Sequence, residues 1–243
     1  MDNLFIVIPA YNEEENIDAV VNAWYPILDN TGAGSRLVII NDGSTDRTYE
    51  SLQKISSDHP KLVVINKKNG GHGSAVYAGY QYAIEHNADF IFQTDSDMQT
   101  LPSEFEGFWK IRNDFSALFG YRPVRGDGQS RAFIEKIVCL IVKVCFHVSV
   151  PDANAPYRLF DGKKLPYYLE IIEKDYFLPN ILLTAFYVKN KDNVKFLPIT
   201  FQAREKGIQS INIKKIIRIG IKSLKDFRIY NRKFEQHIKI SNT

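Results

Sequence analysis

An α/β fold on a mostly parallel central sheet, with helices on both faces, is predicted by three observations. Short, continuous apolar runs recur along the first half of the chain, as in strands buried on both faces. Segments with helical periodicity separate them at roughly even spacing. The unusual polar residues fall just after the apolar runs, where open parallel sheets bind their ligands.

Residues 4–9 form the first run. Asn12 is the expected cap of a helix whose first turn is Glu13-Glu14-Glu15, acids that suit the positive helix end. Ile17, Val20, Val21 and Trp24 then recur at helical spacing. Residues 36–40 are the second strand, ending at Asn41-Asp42-Gly43-Ser44, and residues 45–56 read as a helix. Residues 62–65 make a third strand. The glycine-rich turn 69–73 leads into a helix through Ala83. Residues 90–93 are the fourth strand, and Pro102 opens the next helix at a position proline favours. Residues 117–120 are the fifth strand.

The second half is less regular. Residues 122–130 are a polar loop. Residues 133–150 are an apolar helical stretch broken by Glu135, Lys136, Lys143 and His147. Residues 152–160 read as a turn and short strand. Residues 194–201 form another strand, which Pro198 places at a sheet edge. Residues 211–227 have the pattern of an amphipathic helix. The expected organisation is one domain over residues 1–210 with a basic amphipathic helix and tail over residues 211–243.

The 243 residues are 44% hydrophobic and 24% charged, the composition of an ordinary globular chain rather than a disordered one. Formal net charge is only +3, so global charge does not suggest nucleic acid. Cys139 and Cys145 lie in an apolar helical stretch and read as core thiols, which suits a reducing, cytoplasmic location. No signal peptide is visible, and no stretch approaches the about 20 apolar residues a membrane span needs.

The residues able to carry chemistry gather at strand ends. Asp95-Ser96-Asp97 follows the fourth strand, and two acids at this spacing can place carboxylates around one divalent cation. Asp42 follows the second strand, and Pro9-Ala10-Tyr11-Asn12-Glu13 the first. Each piece also has a plain reading: a helix start, a turn, a glycine loop, a solvated acid pair. The turn at residues 69–73 lacks the lysine and spacing of a nucleotide-binding phosphate loop. Together the plain readings fail, because turns chosen for shape alone would not put acids at three successive strand ends.

Three segments resemble the opening, second-strand and acid-x-acid motifs of family 2 glycosyltransferases. They are Ile6-Val7-Ile8-Pro9-Ala10-Tyr11-Asn12-Glu13-Glu14, Asn41-Asp42-Gly43-Ser44-Thr45-Asp46 and Asp95-Ser96-Asp97-Met98-Gln99. The resemblance implies the GT-A fold. Gly120-Tyr121-Arg122, Arg131, Asp152 with Arg158, and the run from Phe201 through Arg204 to Gly207 resemble the dolichyl-phosphate mannose synthase and polyprenyl-phosphate glycosyltransferase branch.

That resemblance implies an inverting transfer of sugar from a UDP- or GDP-sugar to a polyprenyl phosphate. Pro9, Tyr11, Glu13, Asp42, Gly71, Asp95 and Ser96 would contact the nucleotide sugar. Asp95, Asp97 and Gln99 would hold Mg²⁺ or Mn²⁺. Arg204 would add charge at the leaving diphosphate. Arg122 and Arg131 would bind the acceptor phosphate, since guanidinium forks match phosphate oxygens. Asp152 is one candidate base and Asp175 a second. The branch often shows Gly-Phe-Arg after its Asp, whereas this chain has Ala153-Asn154-Ala155-Pro156-Tyr157-Arg158.

Two other classes stay open. One is a family 2 enzyme with a saccharide hydroxyl acceptor in cell-surface polysaccharide synthesis. The other is a non-catalytic sugar-nucleotide-binding protein. The tail has two main readings, besides nucleic-acid binding, which no recognition motif accompanies. Ile213, Ile216, Ile217, Ile221, Leu224 and Phe227 share a helical face, with Lys214, Lys215, Arg218, Lys222, Lys225 and Arg228 around it. Such a helix either lies on the cytoplasmic face of an anionic membrane or packs on the catalytic domain with its basic side in solvent.

Overall fold

The computed structural model describes residues 1–124, 129–203 and 213–241, with backbone alone for 129–130, 213–221 and 241. The elements follow in the order β1 (Leu4–Ala10), α1 (Ile17–Trp24), β2 (Arg36–Asn41), α2 (Thr48–Ser56), β3 (Leu62–Asn66), α3 (His72–Glu85), β4 (Phe90–Thr94) and α4 (Phe105–Lys110). The second half adds β5 (Ala117–Tyr121), α5 (Gln129–Phe146), β6 (Tyr157–Asp161), α6 (Leu165–Leu169), α7 (Pro179–Lys189), β7 (Val194–Pro198) and α8 (Ile213–Ser241).

The strands join in one seven-stranded sheet in the order β3-β2-β1-β4-β6-β5-β7. β1 pairs in parallel with both β2 and β4, and β2 with β3. β6 runs antiparallel to both of its neighbours, while β5 and β7 are parallel. The sheet is therefore mostly parallel. β7 lies at its edge, where the missing N–H of Pro198 costs no ladder bond.

Alternation along the strands divides the core in two. On β1, Leu4, Ile6 and Ile8 turn toward α1 and α4, whereas Phe5 and Val7 turn toward α3. β1 is buried along its whole length, as a central strand covered by helices must be. Helix α3 lies close to the sheet at Gly79, where an added Cβ would come within 2.2 Å of Val7 Cγ1.

Two helices, α6 and α7, have no counterpart in the sequence reading. Residues 179–187 of α7 are all buried, so the helix has no polar face to give it an amphipathic period. The helix after β1 also starts later than expected, at Ile17 rather than beside Asn12. Asn12 instead adopts a left-handed conformation, φ 54°. It ties two loops together: its N–H donates to Ser44 Oγ at 3.0 Å, and its Oδ1 accepts from Thr45 N–H at 2.8 Å. Glu13 N–H donates to Thr48 Oγ1, and Glu14 accepts from Arg47 N–H. This stitching uses up residues 44–47, so α2 starts at Thr48.

The C-terminal helix is longer than its periodicity suggested and reaches Ser241. Phe227, Tyr230 and Phe234 are buried in the α3-side core, and Leu224 packs against it. Phe234 stacks on Phe186 of α7 with ring centroids 4.9 Å apart. Lys222, Lys225 and Arg228 are exposed. The described part of α8 thus matches the packing reading of the tail.

Phe234→Ala should lower the unfolding free energy by about 3–5 kcal/mol, the usual cost of emptying a buried aromatic site. Urea denaturation reads this loss, and an unchanged midpoint would separate α8 from the cooperative core.

Candidate active site

β2 and β3 lie on one side of β1, and β4 lies on the other. Chain connections leave β1 in opposite directions at this point, and a crevice opens beyond the carboxyl ends of the strands. Its volume is about 370 Å³, within the range of small-molecule sites. The first strand contributes Pro9, Tyr11 and Glu13, the second Asp42, the turn after the third Gly71 and His72, and the fourth Asp95, Ser96 and Asp97. The structure therefore gathers these sequence-predicted donor-site residues at one place.

Asp42 organises the glycine turn. Its Oδ1 accepts from Gly70 N–H at 3.0 Å and its Oδ2 from Gly71 N–H at 2.8 Å, while Lys67 Nζ pairs with Oδ1. Asp42 is 2% exposed, so these partners compensate a buried charge. Gly71 has φ +85°, a conformation that favours glycine. The turn ends at the start of α3, a 14-residue helix whose N-terminal N–H groups suit an anion. Tyr11 is 48% exposed and presents an aromatic surface at the crevice.

Asp95 Oδ1 accepts from Gln93 Nε2 at 3.0 Å and lies 3.0 Å from His72 Nε2. Its Oδ2 has no hydrogen-bond donor among the described residues. Burial raises the Asp95 pKa, but His72, Arg122 and the Gln93 amide outweigh it and hold the carboxyl below its ordinary value. Desolvation in the crevice opposes protonation of His72, and the charges of Asp95, Asp97 and Asp42 prevail, raising its pKa. Met98 takes a left-handed conformation, φ 57°, and turns the loop after Asp97, whose Oδ1 accepts from Gln99 N–H.

The described residues include no cluster of three or more His, Cys, Asp or Glu able to hold a metal. Two neighbouring carboxylates, one with an open oxygen, fit a hard cation that draws its remaining ligands from phosphate and water. Gln99 fits less directly. It is buried, does not line the crevice, and its Nε2 donates to Gln202 O at 2.6 Å. That bond ties the 199–202 segment to the acidic loop.

The second predicted cluster is built around Arg122. Its Nε donates to Asp152 Oδ2 at 2.7 Å and its Nη2 to Asp152 Oδ1 at 3.0 Å. Glu135 lies 3.3 Å from the same guanidinium, which sits 4.9 Å from the Phe201 ring centroid. Glu135 Oε1 also accepts from Ala153 N–H at 2.9 Å. Burial and the Asp152 charge push the Glu135 pKa up, against the pull of Arg122. Burial would raise Asp152 too, but Arg122 and Glu135 hold it below its ordinary value. Asp152 is thus a locked anion, which is poor preparation for a free base.

Arg131 lies on α5 one helical turn before Glu135, on the same face. Arg158 is fully buried and donates to the carbonyls of Ala153, Ala155 and Asn180 and to Thr184 Oγ1. It braces the turn that carries Asp152. Asp175 does not line the crevice. It lies on a separate open cavity with Tyr77, Glu170, Lys233 and His237. Arg204 lies outside the described residues. Cys139 is half-buried and Cys145 buried, both as free thiols, and burial pushes Cys139 up to about 12.

Sequence reading missed His72 and Glu135. His72 stood in the glycine turn, and Glu135 stood as a lone acid in an apolar helix, one turn from Arg131. Those positions were the available signals.

Glu135→Gln keeps the bond from Ala153 N–H and removes the titrating carboxyl group. Because the folded-state pKa of Glu135 is raised, its stabilising contribution is present below the unfolded value of about 4.3 and is lost as pH rises through the folded value. The variant should therefore melt higher than wild type at pH 8, with the gain shrinking toward pH 4. Thermal melts across this range check it, and an equal difference at all pH values would contradict it.

Comparison with known proteins agrees with this geometry. The family model described as "Glycosyl transferase family 2" matches residues 5–136. An undecaprenyl-phosphate 4-deoxy-4-formamido-L-arabinose transferase from Pectobacterium atrosepticum is 26% identical over 220 residues, covering 89% of this chain and 65% of the relative. The enzyme of the same name from Shewanella sediminis is 27% identical over 190 residues, covering 76% and 56%. The chain thus spans less than two thirds of these relatives' length. Among solved structures, glucosyl-3-phosphoglycerate synthase from Mycobacterium tuberculosis, in complex with Mn²⁺, uridine diphosphate and phosphoglyceric acid, superposes with a TM-score of 0.68 at 13% identity. That match covers 95% of this chain and 78% of the other, and it shows a shared GT-A fold. With the family model spanning more than half its residues, and with acids at the ends of β2 and β4 around one crevice, this chain belongs to the family 2 glycosyltransferases.

Proposed function

We propose that this glycosyltransferase is metal-dependent and inverting, and that it moves a sugar from a UDP- or GDP-linked donor to a polyprenyl phosphate. The observation that carries the proposal is the position of Asp95 and Asp97 in the crevice between Tyr11, Asp42 and the start of α3. Tyr11 and Asp42 suit the nucleoside end. The N-terminal N–H groups of α3 and His72 suit the diphosphate. Asp95 and Asp97 would hold Mg²⁺ or Mn²⁺, which supplies positive charge against the leaving group.

The reaction is a single displacement. An acceptor oxygen attacks the anomeric carbon, a new C–O bond forms, and the old bond's electron pair leaves with the nucleoside diphosphate. A phosphate acceptor is already ionised near neutral pH. The locked state of Asp152 is therefore no obstacle to it. Catalysis rests on positioning and charge stabilisation.

The lipid acceptor draws support from the names of the undecaprenyl-phosphate relatives and from α5. Phe133, Ile137, Leu140 and Val144 form an exposed apolar stripe, and Lys136 and Lys143 beside it are exposed. Such a face suits the surface of an anionic membrane. No helix among the described residues is long and apolar enough to cross one. A saccharide hydroxyl acceptor is the second reading. It is favoured by Arg122, whose guanidinium is already engaged by both oxygens of Asp152.

Incubation with polyprenyl phosphate, a saccharide acceptor and a panel of radiolabelled UDP- and GDP-sugars separates the readings. Label should enter the lipid phosphate, and Asp97→Ala should reduce transfer roughly 100-fold or more. Label in the saccharide alone would overturn the lipid acceptor, and an Asp97→Ala variant of full activity would overturn the metal site.

A further inference from the structure

Behind the acidic loop, a line of buried side chains crosses three elements and ends on Asp95. Gln93 Nε2 donates to Asp95 Oδ1 at 3.0 Å. Asn180 Nδ2 donates to Gln93 Oε1 at 2.9 Å. Tyr80 Oη donates to Asn180 Oδ1 at 2.9 Å. Gln93 is on β4, Asn180 in the first turn of α7 and Tyr80 in the middle of α3, and all three are at least 97% buried.

The direction of this line is set at one end. Asp95 Oδ1 accepts from Gln93 Nε2, so Gln93 presents its NH₂ group there. Gln93 then offers an oxygen to Asn180, which must answer with its own NH₂ group. Asn180 in turn offers an oxygen to Tyr80, which must donate. Burial raises the Tyr80 pKa well above its ordinary value, with Arg158 opposing, so the hydroxyl keeps its proton. Every dipole therefore points its positive end toward the carboxylate, and such chains polarise cooperatively.

Asn180 is itself held firmly. Its backbone carbonyl accepts from Arg158 Nη1 at 2.8 Å, and the same guanidinium binds the carbonyls of Ala153 and Ala155 beside Asp152. In a helix buried all round, Asn180 and Thr184 are polar residues one turn apart, and both serve this junction. Both amide bonds on Asp95 and Gln93 fall where they fix the Asp95 rotamer and leave its Oδ2 open.

We infer that Tyr80, Asn180 and Gln93 are positioning residues that orient Asp95 for the divalent cation, acting in series from α3 through α7 to β4. The inference rests on the assignment of the cation to Asp95 and Asp97. Partners behind a metal ligand typically change metal affinity by about 10- to 100-fold when removed.

The test is Mn²⁺ binding to the full chain, followed by electron paramagnetic resonance, alone and with UDP or GDP. Gln93→Met and Asn180→Leu should each weaken Mn²⁺ binding by about 10-fold. The double variant should be no weaker than Gln93→Met alone, because a chain in series is broken once. Tyr80→Phe, which preserves shape, should weaken binding less and in the same direction. Should Asn180→Leu fail to fold, the same cycle is run with Tyr80→Phe and Gln93→Met. Metal-free UDP or GDP affinity should stay within about twofold of wild type. Wild-type Mn²⁺ affinity in Asn180→Leu or Tyr80→Phe, or losses that multiply in the double variant, would overturn the inference. Absence of Mn²⁺ binding in the wild type would remove the cation assignment itself, and this inference with it.

Discussion

Everything at the site depends on the reversal of strand order at β1. The parallel pairing of β1 with β2 on one side and β4 on the other sends their following loops apart and leaves a gap between them. The fold fills that gap with negative charge: Asp42 from β2, and Asp95 and Asp97 from β4. Burying acids so close together is costly unless each is compensated. Lys67 and two glycine N–H groups answer Asp42, and His72 and Gln93 answer Asp95. What remains open is Oδ2 of Asp95, beside Asp97, where a cation fits.

A second balance of charge lies beside the first. Arg122, Asp152 and Glu135 form a cluster of one guanidinium and two carboxyl groups, with Glu135 raised and Asp152 lowered in pKa. Removing Arg122 from such a buried group leaves the Asp152 charge unmatched and typically costs about 3–5 kcal/mol. The cluster is therefore rigid, and Arg158 reinforces it by holding the turn 153–155 from below. Acceptor recognition must work with Arg122 in a fixed orientation against Phe201.

Much of the donor side was legible in the sequence, because its residues come in short runs directly after buried strands. Pro9 ends an apolar stretch, and Tyr11, Asp42, Asp95 and Asp97 each follow one, so local pattern and topology point to the same edge. Asn12 was misread because asparagine suits both a helix cap and a left-handed turn, and only the distant Ser44 and Thr45 decide between them. Gln99 was read as a ligand from its motif, and its contact with Gln202 lies 103 residues away. Asn180 and the bracing role of Arg158 were illegible for a similar reason. Their partners are brought together by α7, a helix whose uniform burial erases the period that would reveal it.

The most direct test of the account is a crystal structure of the full chain grown with Mn²⁺ and UDP, or with GDP, located by anomalous scattering from the manganese. The ion is expected within coordination distance of Asp97 or Asp95 and of a diphosphate oxygen, with the nucleoside against Tyr11. Manganese bound elsewhere, or a diphosphate seated in the cavity beside Asp175 and Lys233, would contradict it.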